Sequence, residues 1–258
     1  MTTFLTPARA RQGLHALPAK PAWAQGATSI RDAEFLLDMV RAHAPATVVE
    51  LGVAAGVSSA YLLYALDTLP DCPDGRLLVS CDIVPVCYFD EGRATGEAAE
   101  AIYPAPRARW MLDTNTDARR LSQTFAPGSV DLTFIDANHF HPWPLLDLLH
   151  LTVSARFGSW VVLHDINLPA IAPGCGASGV KLLFDEWPFE KLSGGGDGNN
   201  IGAVKLPVDR NRLIPFAGAL LERPWEFAPT MWHVALGEPF SMLQNMIRTR
   251  VEQEVDAA

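Results

Sequence analysis

Cysteine is scarce. Cys72, Cys81, Cys87 and Cys175 are the only four in 258 residues, and they form no C-x-x-C pair and no zinc-ligand spacing. This argues against a disulfide framework or a thiolate metal site. No compact apolar run with a small-residue cleavage site opens the chain, so the expectation is reduced thiols in a cytoplasmic protein. Long hydrophobic runs are missing as well: no charge-free apolar stretch approaches the roughly 20 residues of a membrane span. Cations are outnumbered, Lys+Arg 20 against Asp+Glu 29, for a net charge of −9. Phosphate neutralisation needs clustered cations, so neither nucleic acid nor an anionic membrane is the expected partner. Acids are absent before Asp32, while Arg9, Arg11, Lys20 and Arg31 give the first 31 residues +4 and leave −13 for the remainder. This arm reads as a solvated lead-in or a flap over the domain rather than a targeting segment, since Pro7, Pro18 and Pro21 suit an amphipathic transit helix poorly. G-x-S-x-G and H-E-x-x-H do not occur, which argues against the standard α/β hydrolase and zincin sites.

Apolar residues make up 49% of the chain, enough for a sizeable core. Ser29-Ile-Arg-Asp32 has the form of a capping box, followed by Ile30, Ala33, Leu37 and Val40 at helical spacing, and predicts a helix over 30–43 ended by Pro45. Short β-rich runs at 47–52, 77–83, 108–112, 130–136 and 159–165 then alternate with helical runs at 57–67, 93–102, 116–124, 144–154 and 179–186. Such alternation predicts a doubly wound α/β sheet with right-handed crossovers. Runs 187–193 and 200–206 read as a hairpin around a Gly-rich loop. The expected organisation is an arm over 1–28, one domain over 29–210, and a helical extension over 211–258.

The most informative stretch is Val48-Val49-Glu50-Leu51-Gly52-Val53-Ala54-Ala55-Gly56-Val57-Ser58. An apolar strand ends in a carboxylate, and a Gly-x-x-x-Gly turn opens a helix whose free N–H groups favour an anion. Ligand crevices of open α/β sheets lie at such strand ends. The spacing is not the dinucleotide G-x-G-x-x-G, because Ala54 stands where a second glycine would be. A carboxylate beside the turn also suits an amino-bearing cofactor better than a pyrophosphate.

E-L-G-x-x-x-G-x-S resembles motif I of class I S-adenosylmethionine-dependent methyltransferases. The resemblance implies a Rossmann-like, mostly parallel seven-stranded sheet with an antiparallel hairpin near its end. It places Glu50 near the methionyl amino group and Gly52, Ala54 and Gly56 along the cofactor. Ser58 falls at the methionyl carboxylate, Asp82 at the ribose hydroxyls, and Asp113 and Thr114 at the adenine.

Asp136-Ala-Asn-His139 ends the fourth strand, and His164-Asp165-Ile-Asn167 ends the fifth, so both open on the same rim as Gly52. This pairing is similar to the small-molecule O-methyltransferases of the catechol and macrolide-sugar type. The resemblance implies Asp136 as a metal ligand and cofactor contact and His139 as the base for a hydroxylated small-molecule acceptor. His164 stands where an acidic ligand is common. Three options stay open: Mg²⁺ on Asp136, Asp165 and Asn167; a softer metal that also takes His164; or no metal, with His139 acting alone. A homo-oligomer is left open. Two rival readings stand beside this one. Gly174-Cys-Gly-Ala-Ser-Gly179 satisfies G-x-G-x-x-G and would serve an NAD(P)-dependent oxidoreductase, although it does not directly follow a strand and reads more simply as a loop over the substrate pocket. The irregular fifth-strand pair would suit a non-catalytic binding subunit.

Overall fold

Ser29 and Asp32 close the capping box that the sequence predicts. The Ser29 hydroxyl accepts from the Asp32 N–H at 3.2 Å, and the Asp32 carboxylate accepts from the Ser29 N–H at 3.2 Å. The computed structural model describes residues 7–25, 28–71, 75–195 and 198–226. In chain order its elements are α1 (Pro7–His15), α2 (Ile30–His43), β1 (Thr47–Leu51), α3 (Val57–Asp67), β2 (Leu77–Asp82), β3 (Val86–Cys87), β4 (Asp90–Ala94) and α4 (Glu97–Ile102). Next come β5 (Arg109–Thr114), α5 (Ala118–Ser122), β6 (Val130–Ile135), α6 (Trp143–Leu151), β7 (Ala155–His164) and α7 (Leu168–Ile171). The last are α8 (Gly179–Glu186), β8 (Lys191–Ser193), β9 (Ile201–Lys205) and α9 (Leu213–Leu221).

Seven strands form one sheet in the order β5-β2-β1-β6-β7-β9-β8, and β3 and β4 form a separate antiparallel pair. β1, β2, β5, β6 and β7 run parallel, while β9 pairs antiparallel with both β7 and β8. This is the Rossmann-like arrangement expected, with the hairpin at its end. Successive strand residues feed opposite cores, as the two-residue period of a covered sheet requires. Val48, Leu78, Leu132, Phe134, Trp160 and Val162 pack with α1, α2 and α3. Val49, Val79, Ile135, Val161 and Leu163 pack on the other face with α6, α8 and α9.

The arm packs on the domain through a helix, α1, which begins at Pro7, where the missing N–H costs nothing. It lies on α2 and α3: Tyr64 donates its hydroxyl to the Ala10 carbonyl at 2.7 Å, His15 pairs with Glu34 at 2.6 Å, and Arg11 pairs with Asp38. Three local readings are corrected. Residues 93–102 are not one helix. The polar stretch Asp90–Ala94 returns on Val86–Cys87 as a hairpin before α4 begins. The fifth strand starts at Ala155, and the strand expected over 187–193 is confined to Lys191–Ser193. Of the extension over 211–258, residues 211–226 contain α9; Trp232, His233 and the charged tail lie outside the described residues. No helix among the described residues is long and apolar enough to cross a membrane.

Candidate active site

The turn after β1 is held by contacts that leave no room for side chains. Gly52 has φ +87°, and a Cβ there would lie 2.1 Å from the Asp136 carbonyl oxygen. Gly56 also has φ +87°, and its Cβ would meet the Gly96 Cα at 2.8 Å. Both glycines are thus demanded by the protein's own backbone, whatever else passes by. Asp82 fixes the same turn from β2: one carboxylate oxygen accepts the N–H groups of Val53 and Ala54, both at 3.0 Å, and the other accepts the Val84 N–H at 3.2 Å. A small, partly open cleft lies over the turn, lined by Gln25, Thr28, Gly52–Ala55, Val57, Ser58 and Asp136. Gln25 and Thr28 are the part of the arm that does reach the rim.

Glu50 does not line this cleft. It is fully buried beneath it, accepting hydroxyl hydrogen bonds from Ser58 at 2.6 Å, Ser59 at 2.6 Å and Ser80 at 2.5 Å. Burial pushes its pKa up to about 7, against the pull of the three hydroxyls and with a further push from Asp136. Ser58 stands between Glu50 and the cleft. Asp113 and Thr114 are the last residues of β5, opposite Cys81 and Asp82 in register, and stand outside the residues that line the cleft.

A second group gathers where β6 and β7 end. Ile135 pairs with Leu163, so the next residues, Asp136 and His164, emerge side by side. His164 Nδ1 is 3.2 Å from Asp136 Oδ1 and 3.6 Å from Asp165 Oδ1, and its Nε2 is 3.4 Å from Asp32 Oδ2. His139 Nε2 is 3.3 Å from Asp136 Oδ1 and 3.2 Å from Asp165 Oδ2. Asp165 adopts φ +63°, a left-handed conformation that turns its carboxylate back toward the pair. Burial alone would raise Asp136, but the two imidazoles beside it hold its carboxyl well below the usual range. Burial alone would likewise lower both histidines. The carboxylates outweigh it, so His139 is raised and His164 is raised strongly.

Two members of this group carry no sequence signal that points to the site. Asp32, the capping-box carboxylate, also faces His164 across 132 residues of chain. Asn200 donates its side-chain amide to Asp165 and accepts the Asn167 N–H at 3.1 Å. Asn167 therefore takes part through its backbone. One ligand atom each from Asp136, His139 and Asp165 lies within 4.8 Å of the others, a set that fits a divalent cation taking mixed oxygen and nitrogen donors. His164 is not in that set; its Nδ1 faces Asp136 and its Nε2 faces Asp32 on the buried side.

The rival glycine run is not a strand-to-helix turn. Asn167 and α7 separate it from β7, and Pro173–Cys175 is a single 3-10 turn. Its last glycine is a packing glycine: a Cβ on Gly179 would meet the His141 nitrogen at 2.4 Å, and the Gly179 N–H donates to the His139 carbonyl at 2.8 Å.

Residues 49–166 match the family model described as a methyltransferase domain. None of the curated proteins searched matches the chain. Among solved structures, cofactor-bound Rv0187 from MTB is similar over 79% of this chain and 88% of its own, at 20% identity with a TM-score of 0.53. The SAH-bound Podospora anserina methyltransferase PaMTH1 is similar over 78% of this chain and 87% of its own, at 14% identity with a TM-score of 0.52. The O-methyltransferase TomG from Streptomyces achromogenes, solved with SAM, is 20% identical over 78% of this chain and 89% of its own, with a TM-score of 0.48. At these identities the likeness to the first two is one of fold.

Proposed function

We propose that this chain, a class I methyltransferase by its fold and by the domain family that residues 49–166 match, moves a methyl group from S-adenosylmethionine to a hydroxyl of a small molecule. The observation that carries this reading is the double role of Asp136. It lines the cleft over the glycine turn, and it touches His139 Nε2 at 3.3 Å. The cofactor cleft and the candidate base thus meet at one residue.

The cleft suits an S-adenosyl group. Backbone lines one wall and Ser58 stands at the start of α3, while Asp82, outside the lining, braces the turn by accepting its backbone N–H groups. When bound, that group supplies an electrophilic methyl on sulfonium, which an in-line hydroxyl oxygen near 3 Å displaces. The chain's own residues supply orientation and proton removal. In its neutral form His139 keeps its Nε2 proton toward the carboxylates of Asp136 and Asp165, which leaves Nδ1 to accept the hydroxyl proton; the same two carboxylates then hold the imidazolium. Asp136, His139 and Asp165 would also hold a divalent cation, which lowers the pKa of a coordinated hydroxyl and orients it. Base and ligand are competing uses of one ring, because a cation on one nitrogen leaves the ring's proton on the other. Thr28 and Gln25 of the arm border the cleft and limit solvent there.

The test is transfer of label from methyl-tritiated S-adenosylmethionine to a panel of catechols, phenols and hydroxylated sugars. The expected result is a methyl ether on at least one class, lost on His139→Ala while S-adenosylhomocysteine still binds. Failure to bind S-adenosylhomocysteine would remove the reading altogether. Methylation unaffected by His139→Ala would remove the base.

A further inference from the structure

Glu226 belongs to no motif and lies 85 residues from the segment it touches. Its carboxylate accepts the His141 N–H at 2.5 Å on one oxygen, and the Ser178 N–H at 2.8 Å on the other. The Ser178 hydroxyl donates to that second oxygen as well. Its own N–H donates back to the His141 carbonyl at 3.1 Å. The carboxylate therefore closes two gaps at once. One is the loop that follows β6 and carries His139. The other is the start of α8, whose free N–H groups and positive dipole end favour an anion.

These two pieces also meet each other directly. Gly179 donates to the His139 carbonyl at 2.8 Å, and the space where its Cβ would stand is filled by the backbone of residues 139–141. His141 is almost fully buried in the junction. The nearest cation in sequence, Arg223, is committed to Glu186 at 3.0 Å. The donors that meet the Glu226 carboxylate are thus two backbone N–H groups and one hydroxyl, all belonging to the elements it joins.

We propose that Glu226 is a positioning residue for His139. By tying the His141 backbone to the first turn of α8, it fixes the loop from which the His139 ring reaches Asp136 and Asp165. The inference rests on the reading of His139 as the base, yet its geometric content stands apart from the acceptor. Among the described residues the hydrogen bonds of Glu226 reach His141 and Ser178, neither of which lines the cofactor cleft, so its loss should move the ring and leave the cleft as it is. Misplacement by about 1 Å can cost on the order of 100-fold in rate.

The experiment uses the full chain, its Glu226→Ala variant and its Glu226→Gln variant. Glutamine keeps one acceptor oxygen but turns an amide donor toward a second N–H. It should give an intermediate effect even if alanine prevents folding. Three readouts are taken at fixed pH. One is the ¹³Cε1 resonance of His139, identified by its disappearance in His139→Gln. The others are amide exchange of the 138–142 and 178–182 segments, and affinity for S-adenosylhomocysteine. The expected result is a displaced His139 resonance, exchange in both segments faster by about tenfold or more, and affinity within about twofold of the parent. With any acceptor turned over in the panel above, kcat falls by about 10- to 100-fold at unchanged KM for the cofactor. A His139 resonance that stays in place in both variants would overturn the proposal, leaving Glu226 as a fastener of α8 alone. Absence of any methylated product with the resonance displaced would count against the base reading and not against Glu226.

Discussion

Glu50 carries an unusual stability signature. Its carboxyl is buried among three serine hydroxyls with no cation beside it among the described residues, and its pKa is raised from 4.5 to about 7. The folded state therefore keeps a proton in a window where the unfolded state has released it. Stability must fall as pH rises from about 4.5 to about 7, at about 1.4 kcal/mol per pH unit for one proton, and then level off. The total is about 3 kcal/mol. Glu50→Gln is uncharged at every pH and removes that slope. At pH 5 the variant should be the weaker protein by about 1–2 kcal/mol, because its amide must find an acceptor among hydroxyls that now point inward as donors. Ser80 is further constrained, since its oxygen already accepts the Trp110 indole N–H at 2.9 Å. As pH rises the parent loses its advantage, and the two stabilities should cross near neutrality. Urea unfolding followed by tryptophan fluorescence at pH 5, 6, 7 and 8 gives the difference directly. Parallel curves across that range would refute the reasoning, because they would mean that Glu50 holds no proton of its own in the folded protein.

Other outcomes can be read in parallel. Gly52→Ala places a methyl against the Asp136 carbonyl at φ +87° and should cost about 3 kcal/mol or more in chemical denaturation; Gly176→Ala, at φ +71° with open space around it, should cost only about 1 kcal/mol. Because the His139 pKa is raised, the acid limb of kcat/KM should lie above pH 6.5, with activity rising as the ring loses its proton. The same raised pKa contributes stability that is full below pH 6.5 and is lost as pH rises through the folded value; His139→Gln should weaken this trend and leave the part that His164 supplies. If Asp136, His139 and Asp165 take a cation, Mn²⁺ should raise the melting temperature of the parent more than that of Asp165→Asn; equal shifts would argue against that site.

The sheet was legible because its strands are buried on both faces and punctuated by Gly, Pro and Asp, and the rim acids follow from the same punctuation. Asp136, His139, His164 and Asp165 sit in two short segments at two strand ends, so parallel pairing alone brings them together. What stayed hidden has two causes. Polar strands carry no apolar period, which is why Asp90–Ala94 reads as the start of a helix. Long-range partners leave no local trace. Asp32 is fully accounted for by its capping box, and nothing near it signals His164. Asn200 lies in a Gly-rich loop, and the antiparallel pairing of Ile201 with His164 is what brings it beside Asp165. The motif puts Glu50 near the methionyl amino group of a cofactor; the serines at 58, 59 and 80, all small donors, are the signal for its burial.

The antiparallel entry of β9 between β7 and β8 has a consequence during synthesis. β7 exposes the backbone of Trp160–His164 on one side until Ile201–Lys205 has left the ribosome to pair with it. At about 5–20 residues per second that interval is on the order of seconds. A nascent chain in that interval presents a hydrophobic, unpaired strand edge, the kind that recruits other chains. Slow translation or a premature stop within residues 165–200 should therefore drive the protein toward aggregates or chaperones far more readily than the same interruption before β7 is made.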